Sequence, residues 1–270
     1  MSIARTRIIN SKAAQPNAYP LPDSRLEMPS LLLPNQKPTG PVNIDWSHPY
    51  TKGLVGCWLM DENNIDLTGN NHGRDNGTII RDAGIWGMQS QVADGTSAQR
   101  IDFDQIREDN PLSCVKNNEI SIYAFAFHPS TASGLFPRII NKSTSGSGTN
   151  GYQFSLDANL DKFEFSVDGS TAISSSGIGN NKWFGLGVSA KSGTGGVRFF
   201  LNGDFWNAQN LTFTIPTTAT DASLLNWTHA AGRGWEGGVV VIMVWNRMIP
   251  DHWHRSIHNN RYQFLIPVFE

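Results

Sequence analysis

The 270-residue sequence contains few charged residues and very little cysteine. Charged side chains make up 16% of the chain, against about 25% in an ordinary globular domain. Positive and negative residues nearly balance, with 21 Lys and Arg against 23 Asp and Glu and a net charge of −2. This balance excludes binding of nucleic acid through overall charge, which depends on an excess of Lys and Arg.

Two cysteines cannot form the disulfide framework that holds many small secreted domains together. Cys57 and Cys114 could pair, but we expect both to be buried as small apolar residues. The N-terminal residues MSIARTRIINSK lack an apolar segment of signal-peptide length, and no run of 18 apolar residues occurs in the sequence. We therefore expect synthesis and folding in a cytoplasm, and no membrane partner.

Residues 1–41 differ in composition from the rest of the chain. Seven of the 14 prolines lie between Pro16 and Pro41. Each proline fixes φ and lacks an amide donor, so the pattern predicts an extended, polyproline-like arm rather than a helix or a central strand. The apolar residues of this arm have no core of their own, and a disordered linker is the alternative interpretation. We predict that a neighbouring subunit binds the arm through Ile8, Ile9, Leu31, Leu32 and Leu33.

The stretch Lys182–Trp206 shows the clearest strand pattern in the sequence. After a Gly-rich loop and a second strand, Asn202-Gly203 supplies the two positive φ angles that a tight two-residue hairpin turn needs. In the first strand, four apolar residues at every second position alternate with small or polar ones, the period of a strand with one face on a core. These residues are Phe184, Leu186, Val188 and Ala190. The stretch therefore predicts part of an antiparallel sheet.

Short strand patterns recur at regular spacing through residues 42–245, and two of them are apolar on both faces. Near the C terminus, Ile249, Trp253 and Ile257 stand four residues apart. Their spacing predicts one short amphipathic helix packed on the sheets, with Pro250 in its first turn. We predict a single domain over residues 42–270 with an all-β fold, an antiparallel β-sandwich with one short C-terminal helix.

Several segments of the chain resemble one family of β-sandwich domains, the laminin-G-like, concanavalin A-like jelly rolls. The matching segments are Lys182-Trp183, Leu201-Asn202-Gly203, the entry strand Thr51–Met60, and Asn246-Arg247 after the last long strand. A version found in structural proteins of tailed bacteriophages is the most similar, because Val42–Pro49 and Asn260–Pro267 resemble the segments that open and close it. The resemblance covers about residues 42–267, and it implies a concanavalin A-like jelly roll in a virion protein.

The loop Asp61–Asn76 is dense in turn formers and resembles a loop that holds Ca²⁺ in some relatives of that family. Asp66, Asn70 and Asp75 are weak candidates for calcium ligands, because they offer side-chain oxygens. Their spacing does not match a twelve-residue calcium loop ending in a bidentate Glu. Most loops of this composition bond only their own backbone. We therefore expect no cofactor, with Ca²⁺ as the alternative.

Candidate catalytic residues are few. Asp102 and Asp104 share one face of a strand, but nothing in the sequence supplies the apolar pocket that raises one pKa in a catalytic pair. His254 and His258 stand at a spacing that can hold a metal, yet no third ligand accompanies them, so we predict a solvated helix face. We expect no catalytic residues and no enzymatic activity.

Carbohydrate binding needs an exposed aromatic ring beside amide and carboxylate groups. Trp206, Trp227 and Trp235 lie in or near predicted loops and are candidates for such a glycan-binding surface. The alternative is that these rings close the open ends of the sandwich, because tryptophan is a largely buried residue. The sequence leaves both interpretations open.

The favoured hypothesis is a non-enzymatic structural protein of a tailed-phage virion, assembled in the host cytoplasm. A capsid decoration protein held by its N-terminal arm fits best, because an extended arm gains interface area without a core of its own. Its partners would be the major capsid protein or tail proteins, together with copies of itself. A lectin-like protein that binds host-surface glycans is the alternative, and a glycan-active enzyme is a third hypothesis.

Overall fold

The computed structural model describes residues 35–38, 40–60, 63–77, 80–82, 90–94, 99–103, 106, 108–129, 136–217, 219–227 and 233–268. For residues 80–82 and 90–94 the backbone alone is described. The predicted anchors of the N-terminal arm, Ile8, Ile9, Leu31, Leu32 and Leu33, lie outside these ranges, so their role stays a prediction.

The described residues form 17 strands, one α-helix and two short 3-10 helices, Pro49–Thr51 and Pro111–Ser113. The helix α1 spans Asp251–Asn259. The strands are β1 (Val42–Ile44), β2 (Leu54–Trp58), β3 (Arg74–Asn76), β4 (Ile80–Asp82), β5 (Ser90–Asp94), β6 (Arg100–Asp102), β7 (Glu119–His128), β8 (Arg138–Lys142), β9 (Tyr152–Leu156), β10 (Phe163–Val167), β11 (Ser170–Ile173), β12 (Lys182–Lys191), β13 (Gly193–Leu201), β14 (Asp204–Leu211), β15 (Ala222–Leu224), β16 (Glu236–Trp245) and β17 (Leu265–Pro267).

The strands form two antiparallel sheets, with a two-stranded ribbon of β1 and β17 beside them. The seven-stranded sheet has the order β11-β10-β9-β8-β15-β6-β3. The eight-stranded sheet has the order β14-β13-β12-β7-β16-β5-β4, and β2 also pairs with β16. The main hydrophobic core takes side chains from both sheets and lies between them. The predicted antiparallel β-sandwich with one short helix near the C terminus is confirmed.

The main core is built from apolar side chains at every second position of the central strands. Phe184 and Leu186 of β12 are at most 1% exposed and lie opposite Ala126 and Ala124 of β7. Large side chains therefore meet small ones across the sheet, which fills the space between the sheets evenly. The hairpin turn after β13 has φ angles of 53° at Asn202 and 83° at the following glycine, as the Asn-Gly pair predicts.

The outer face of the eight-stranded sheet is covered by α1 rather than by solvent. On β12 the outward positions hold Gly185, Gly187 and Ser189, which leave room for the helix. A Cβ atom at Gly187 would lie 2.6 Å from Nδ1 of His254, and one at Gly185 would collide with His258. The small residues that alternate with the apolar ones in β12 are therefore required by the close approach of α1.

His254 joins α1 to the sheet, which corrects the prediction of a solvated histidine face. The side chain is fully buried, and its Nε2 lies 2.8 Å from Ser189 Oγ, which in turn lies 2.8 Å from Ser121 Oγ. Its ring stacks on Phe200 with centroids 3.8 Å apart. Burial, reinforced by the charge of Arg198, lowers the pKa of His254 to about 3. The neutral imidazole is thus part of the packing between the helix and the sheet.

The ribbon of β1 and β17 brings the two ends of the sandwich together. Val42 pairs with Pro267 in this ribbon, and a second apolar cluster packs the ribbon and α1 on the outer face of the eight-stranded sheet. The Val268 amide donates a 2.9 Å hydrogen bond to the Pro41 carbonyl. Lys37 is only 5% exposed. Pro41 is therefore hydrogen-bonded to the residue that follows β17.

Both cysteines are free and buried, as the sequence predicts. Burial raises the pKa of Cys114 to about 12 and raises that of Cys57 as well, so both remain thiols at neutral pH. In the part of the chain that the structure describes, no helix is long and apolar enough to cross a membrane.

Candidate functional site

The outward side chains of the seven-stranded sheet form a polar row that crosses all seven strands. Cross-strand pairing aligns Thr171, Ser166, Gln153, Asn141, Ser223, Asp102 and Arg74. The end members Thr171 and Arg74 are exposed, whereas the members on the four strands from β10 to β15 are fully buried. We call this row, together with the adjacent Arg138, Ser155 and Glu164, the polar face.

The loop between β8 and β9 covers the middle of the polar face. Its Gly146 carbonyl accepts hydrogen bonds from Arg138 Nη2 over 3.2 Å and from Gln153 Nε2 over 2.6 Å. Gly148 has a φ of 72°, and a Cβ atom there would collide with the Ser166 carbonyl. Glycine is therefore needed for the loop to lie this close to β10. The loop is held against the sheet by hydrogen bonds to the polar face itself.

Arg138 is a fully buried cation beside the polar row. Its Nη1 donates to the Phe136 carbonyl over 2.6 Å, whereas its Nε has no hydrogen-bond partner in the described chain. Burial lowers the pKa of Arg138 to about 10, an effect that Glu164 opposes and Arg233 reinforces. The guanidinium stays charged at neutral pH and keeps one donor unused.

Glu164 supplies a carboxylate next to this cation. Its Oε1 accepts hydrogen bonds from Gln153 Nε2 over 3.2 Å and from Ser166 Oγ over 2.9 Å. Burial raises the pKa of Glu164 in spite of these bonds and the charge of Arg138. Of the groups that the structure describes here, Gln153 Oε1 and Ser155 Oγ are buried without a partner. Ser155 lies opposite both Arg138 and Glu164 in the sheet, so the unpartnered groups are close neighbours.

Two aromatic rings lie near the Arg138 guanidinium. Its Cζ is 5.9 Å from the ring centroid of Phe136 and 6.0 Å from that of Trp227. Trp227 Nε1 donates to the Ser143 carbonyl over 3.3 Å, which fixes the indole over the covering loop. Phe136, Trp227 and the nearby Arg233 are partly exposed. The site therefore places partly exposed rings beside a polar face that the covering loop buries, and such rings can pack on the apolar face of a ligand.

The three tryptophans predicted to bind glycan occupy different environments. Trp235 is fully buried, donates to the Phe127 carbonyl over 3.1 Å and packs in the main core, which is the second of the two interpretations that the sequence left open. Trp206 is partly buried against the same core. Trp227 is the candidate that lies beside the polar face. Trp46 was not predicted from the sequence as a candidate, although at 58% exposure it is the most exposed tryptophan among the described residues.

Asp66, a candidate calcium ligand, uses both carboxylate oxygens within its own loop. Oδ1 accepts hydrogen bonds from the amides of Cys57 and Thr68, both over 2.9 Å. Oδ2 accepts from Thr68 Oγ1 over 2.7 Å and from the Asn71 amide over 3.1 Å. The side chain is 1% exposed. Asp66 therefore stabilises the loop directly, in the way that an Asx turn does.

The other two candidate calcium ligands have separate environments. Asp75 Oδ1 accepts a 2.6 Å hydrogen bond from Asn64 Nδ2, and Asn70 is exposed. Over the described ranges, no three His, Cys, Asp or Glu side chains are grouped so that they could hold a metal ion. The geometry of the loop is explained by its own hydrogen bonds.

Of the two carboxylates considered as a catalytic pair, Asp102 and Asp104, the structure describes only Asp102. Asp102 forms an ion pair with Arg100 over 2.6 Å and accepts a hydrogen bond from Asn76 Nδ2 over 2.7 Å. Asp104 lies outside the described residues. Asp102 is thus engaged next to the Arg74 end of the polar row, where it balances the charge of Arg100.

The fold defines an antiparallel β-sandwich of the jelly-roll class. The fourth domain of AbnA, a GH43 extracellular arabinanase from Geobacillus stearothermophilus solved with arabinotriose, has a similar fold, with a TM-score of 0.57 and 15% identity over 76% of this chain and 98% of that domain. Botulinum neurotoxin type C, whose cell entry is described as dependent upon interaction with two ganglioside molecules, matches with a TM-score of 0.58 and 9% identity over 78% of this chain and 52% of the toxin chain.

Trypanosoma rangeli sialidase, solved with 2,3-difluoro-KDN, matches with a TM-score of 0.55 and 11% identity over 77% of this chain. The chain spans a third of the sialidase and about half of the toxin chain. At these identities the likeness shows the fold alone. No protein-family model and no curated protein sequence matches this chain.

Proposed function

We propose that the sandwich is a lectin-like carbohydrate-binding domain, with its glycan site at Trp227 and the polar face. The observation that carries this proposal is the partly exposed indole of Trp227, whose ring centroid lies 6.0 Å from the Arg138 guanidinium at the edge of the polar face. A sugar would pack its C–H face on this ring, while its hydroxyls meet the polar groups around the partly exposed Arg233.

The ligands of two solved neighbours support this proposal. The arabinanase domain was solved with arabinotriose, and the toxin is described as interacting with gangliosides. Both ligands are carbohydrates or carry them. Because the identities are only 15% and 9%, the neighbours support carbohydrate as the class of ligand. They do not indicate which residues of this chain would bind it.

A glycan array followed by calorimetric titration of the best ligand tests the proposal. We expect Trp227→Ala to weaken binding by about 30-fold, because truncating a central aromatic costs about 2 kcal/mol. Trp46→Ala is the matched control, since this more exposed indole follows β1 on the other side of the sandwich. Circular dichroism checks that both variants fold. Unchanged affinity of Trp227→Ala, or an equal loss in Trp46→Ala, would refute the assignment of the site.

We also propose that the domain binds glycan without cleaving it. Glycosidases commonly need two carboxyl groups about 5–10 Å apart. Burial is the main cause that raises the pKa of Glu164, and the charge of Asp157 adds a smaller effect. Asp157 is thus the second carboxylate nearby, but its Oδ1 already accepts hydrogen bonds from the amides of Asp161 and Lys162 over 3.3 and 3.2 Å. We therefore expect no reducing ends to be released from the bound polysaccharide. Release by the native protein that is lost in Glu164→Gln would contradict this expectation.

The second candidate function is attachment within a tailed-phage particle, with the major capsid protein, tail proteins or further copies of the chain as partners. The observation in its favour is apolar surface at the ribbon, where Trp46, Ile266 and Val268 are 58%, 43% and 39% exposed. Exposed apolar side chains of this size commonly mark protein contacts. Deleting residues 1–34 should leave the circular dichroism spectrum unchanged and abolish incorporation into particles. Normal incorporation of the truncated protein would exclude anchoring by the arm.

A further inference from the structure

An open cavity of about 450 Å³ lies on the opposite side of the molecule from the polar face. Glu119, Lys191 and Arg198 line it at the ends of β7 and β12 and on β13, and the segment Arg247–Asp251 closes it at the start of α1. These strands belong to the eight-stranded sheet. The cavity is therefore a separate surface, and the proposed glycan site uses none of its residues.

The cavity contains more positive than negative charge. Its two carboxylates are engaged, because Asp251 forms an ion pair with Arg198 and Glu119 Oε2 accepts a 2.9 Å hydrogen bond from a backbone amide of the cavity wall. The remaining two cations are Lys191 and Arg247. Nothing among the described residues forms an ion pair or hydrogen bond with either side chain. The lining thus carries three positive side chains, Lys191, Arg198 and Arg247, against two negative ones, Glu119 and Asp251, a net charge of +1.

The fold positions these two cations from different elements. Lys191 ends β12 and pairs in register with Glu119 of β7, so its ammonium group extends from the rim of the sheet. The stem of Arg247 packs over Gly53, where any Cβ atom would lie 2.7 Å from its Cδ. The Arg247 guanidinium lies 5.9 Å from the ring centroid of Trp253. Packing therefore orients the arginine, and the lysine remains free to adjust to a ligand.

We propose that this cavity binds the oxyanion of an acidic glycan, a sulfate or carboxylate group held between Lys191 and Arg247. A guanidinium donates two parallel hydrogen bonds to such an oxyanion, and an ammonium group adds a point charge. That the anion is carried by a glycan rests on the proposed function, whereas the anion site itself rests on the cavity and its unpaired cations. The domain would then contact an acidic polysaccharide on two sides.

Calorimetric titration with four probes tests this proposal: a sulfated oligosaccharide, a uronate oligosaccharide, an uncharged oligosaccharide of equal length and inorganic sulfate. We expect Lys191→Ala and Arg247→Ala each to weaken binding of an acidic oligosaccharide about tenfold, the effect of one charge-assisted hydrogen bond. Lys182→Ala is the matched control. It removes an exposed lysine from the same strand, about 30 Å away at a rise of 3.3 Å per residue.

The outcomes separate the two proposals. An equal loss in Lys182→Ala would show attraction by overall charge and would overturn the cavity site, as would no loss in either cavity variant. Inorganic sulfate binding as tightly as the sulfated oligosaccharide would overturn the glycan assignment. Arg247→Lys, which keeps the charge, replaces Arg247→Ala if that variant does not fold, and it should retain part of the affinity. If Trp227→Ala weakens binding of the uncharged oligosaccharide while neither Lys191→Ala nor Arg247→Ala weakens binding of the acidic ones, the proposed function stands and the cavity proposal fails.

Discussion

Adding one methyl group at Gly187 tests how α1 is held on the sandwich. The new Cβ atom would lie 2.6 Å from His254 Nδ1 and 3.1 Å from Phe200 Cβ. Because His254 is fully buried and stacked on Phe200, it has no space into which it can move. Overpacking of this kind costs about 1–3 kcal/mol, and replacing glycine within a strand recovers about 0.5–1 kcal/mol. We expect Gly187→Ala to lower the free energy of unfolding by about 1–2 kcal/mol.

Gly185→Ala is the matched control two positions earlier in β12. Its Cβ atom would collide with His258 Nδ1 and lie 3.0 Å from Tyr123 Oη, but His258 is partly exposed and can turn away from the sheet. That movement breaks its 3.2 Å contact with Tyr123 Oη, a hydrogen bond worth about 0.5–1.5 kcal/mol. The gain from replacing glycine offsets most of this loss. We therefore expect the stability of Gly185→Ala to stay within about 0.5 kcal/mol of the native value.

Urea unfolding followed by tryptophan fluorescence measures both variants. A loss of 1 kcal/mol corresponds to a fall of about 2–4 °C in melting temperature for a domain of this size. Equal stabilities of Gly187→Ala and Gly185→Ala would refute the claim that His254 is fixed between helix and sheet. Combining Gly187→Ala with His254→Ala should cost less than the sum of the two single changes, because the truncated side chain leaves space for the methyl group.

Three further predictions concern buried polar groups. Asp66→Ala should lower the free energy of unfolding in urea by about 2–4 kcal/mol, because five donors lose their acceptor; a loss seen only with added Ca²⁺ would contradict this. Burial raises the pKa of Glu164 above its usual 4.5, so native stability should fall as pH rises through that higher pKa, and Glu164→Gln should remove this fall. The pKa of His254 is lowered from 6.5 to about 3, so stability should drop below pH 6.5 by up to about 1.4 kcal/mol per pH unit. Acid titration of His254→Gln should show a flatter slope.

Local chemistry made the sheets predictable from the sequence. The positive φ angles at the Asn202-Gly203 turn and the inward side chains of β12 depend on residue type and on a period of two, and both are confirmed. The helix was predictable for the same reason, although its first residue is Asp251 rather than Ile249. The predicted apolar side of α1 does pack on the sheet, with Ile249 and Ile257 buried and Trp253 partly buried against the same cluster. That His254 also faces the sheet was not predictable, because it is accommodated only by the glycine and serine positions of a distant strand.

The polar face could be predicted from the sequence only in part. Gln153 and Ser155 stand at alternate positions of β9, as Glu164 and Ser166 do in β10, so their common face could be predicted. That this face is buried depends on the Gly146 carbonyl of the covering loop, a tertiary contact without a local pattern. The same limit applies to the tryptophans, since Trp227 and Trp235 both lie in or near predicted loops and have different environments in the structure.

The pairing of β1 with β17 has a mechanical consequence. Val42 lies opposite Pro267, so a force that pulls on both chain ends loads the hydrogen bonds of the ribbon one after another instead of all together. Such an unzipping geometry yields at low force, and opening of this kind occurs locally before global unfolding. The ribbon would peel first and α1 next, while the two large sheets stay intact. A tethered copy of this domain could therefore lengthen under tension and still keep the seven-stranded sheet, with its polar face, folded.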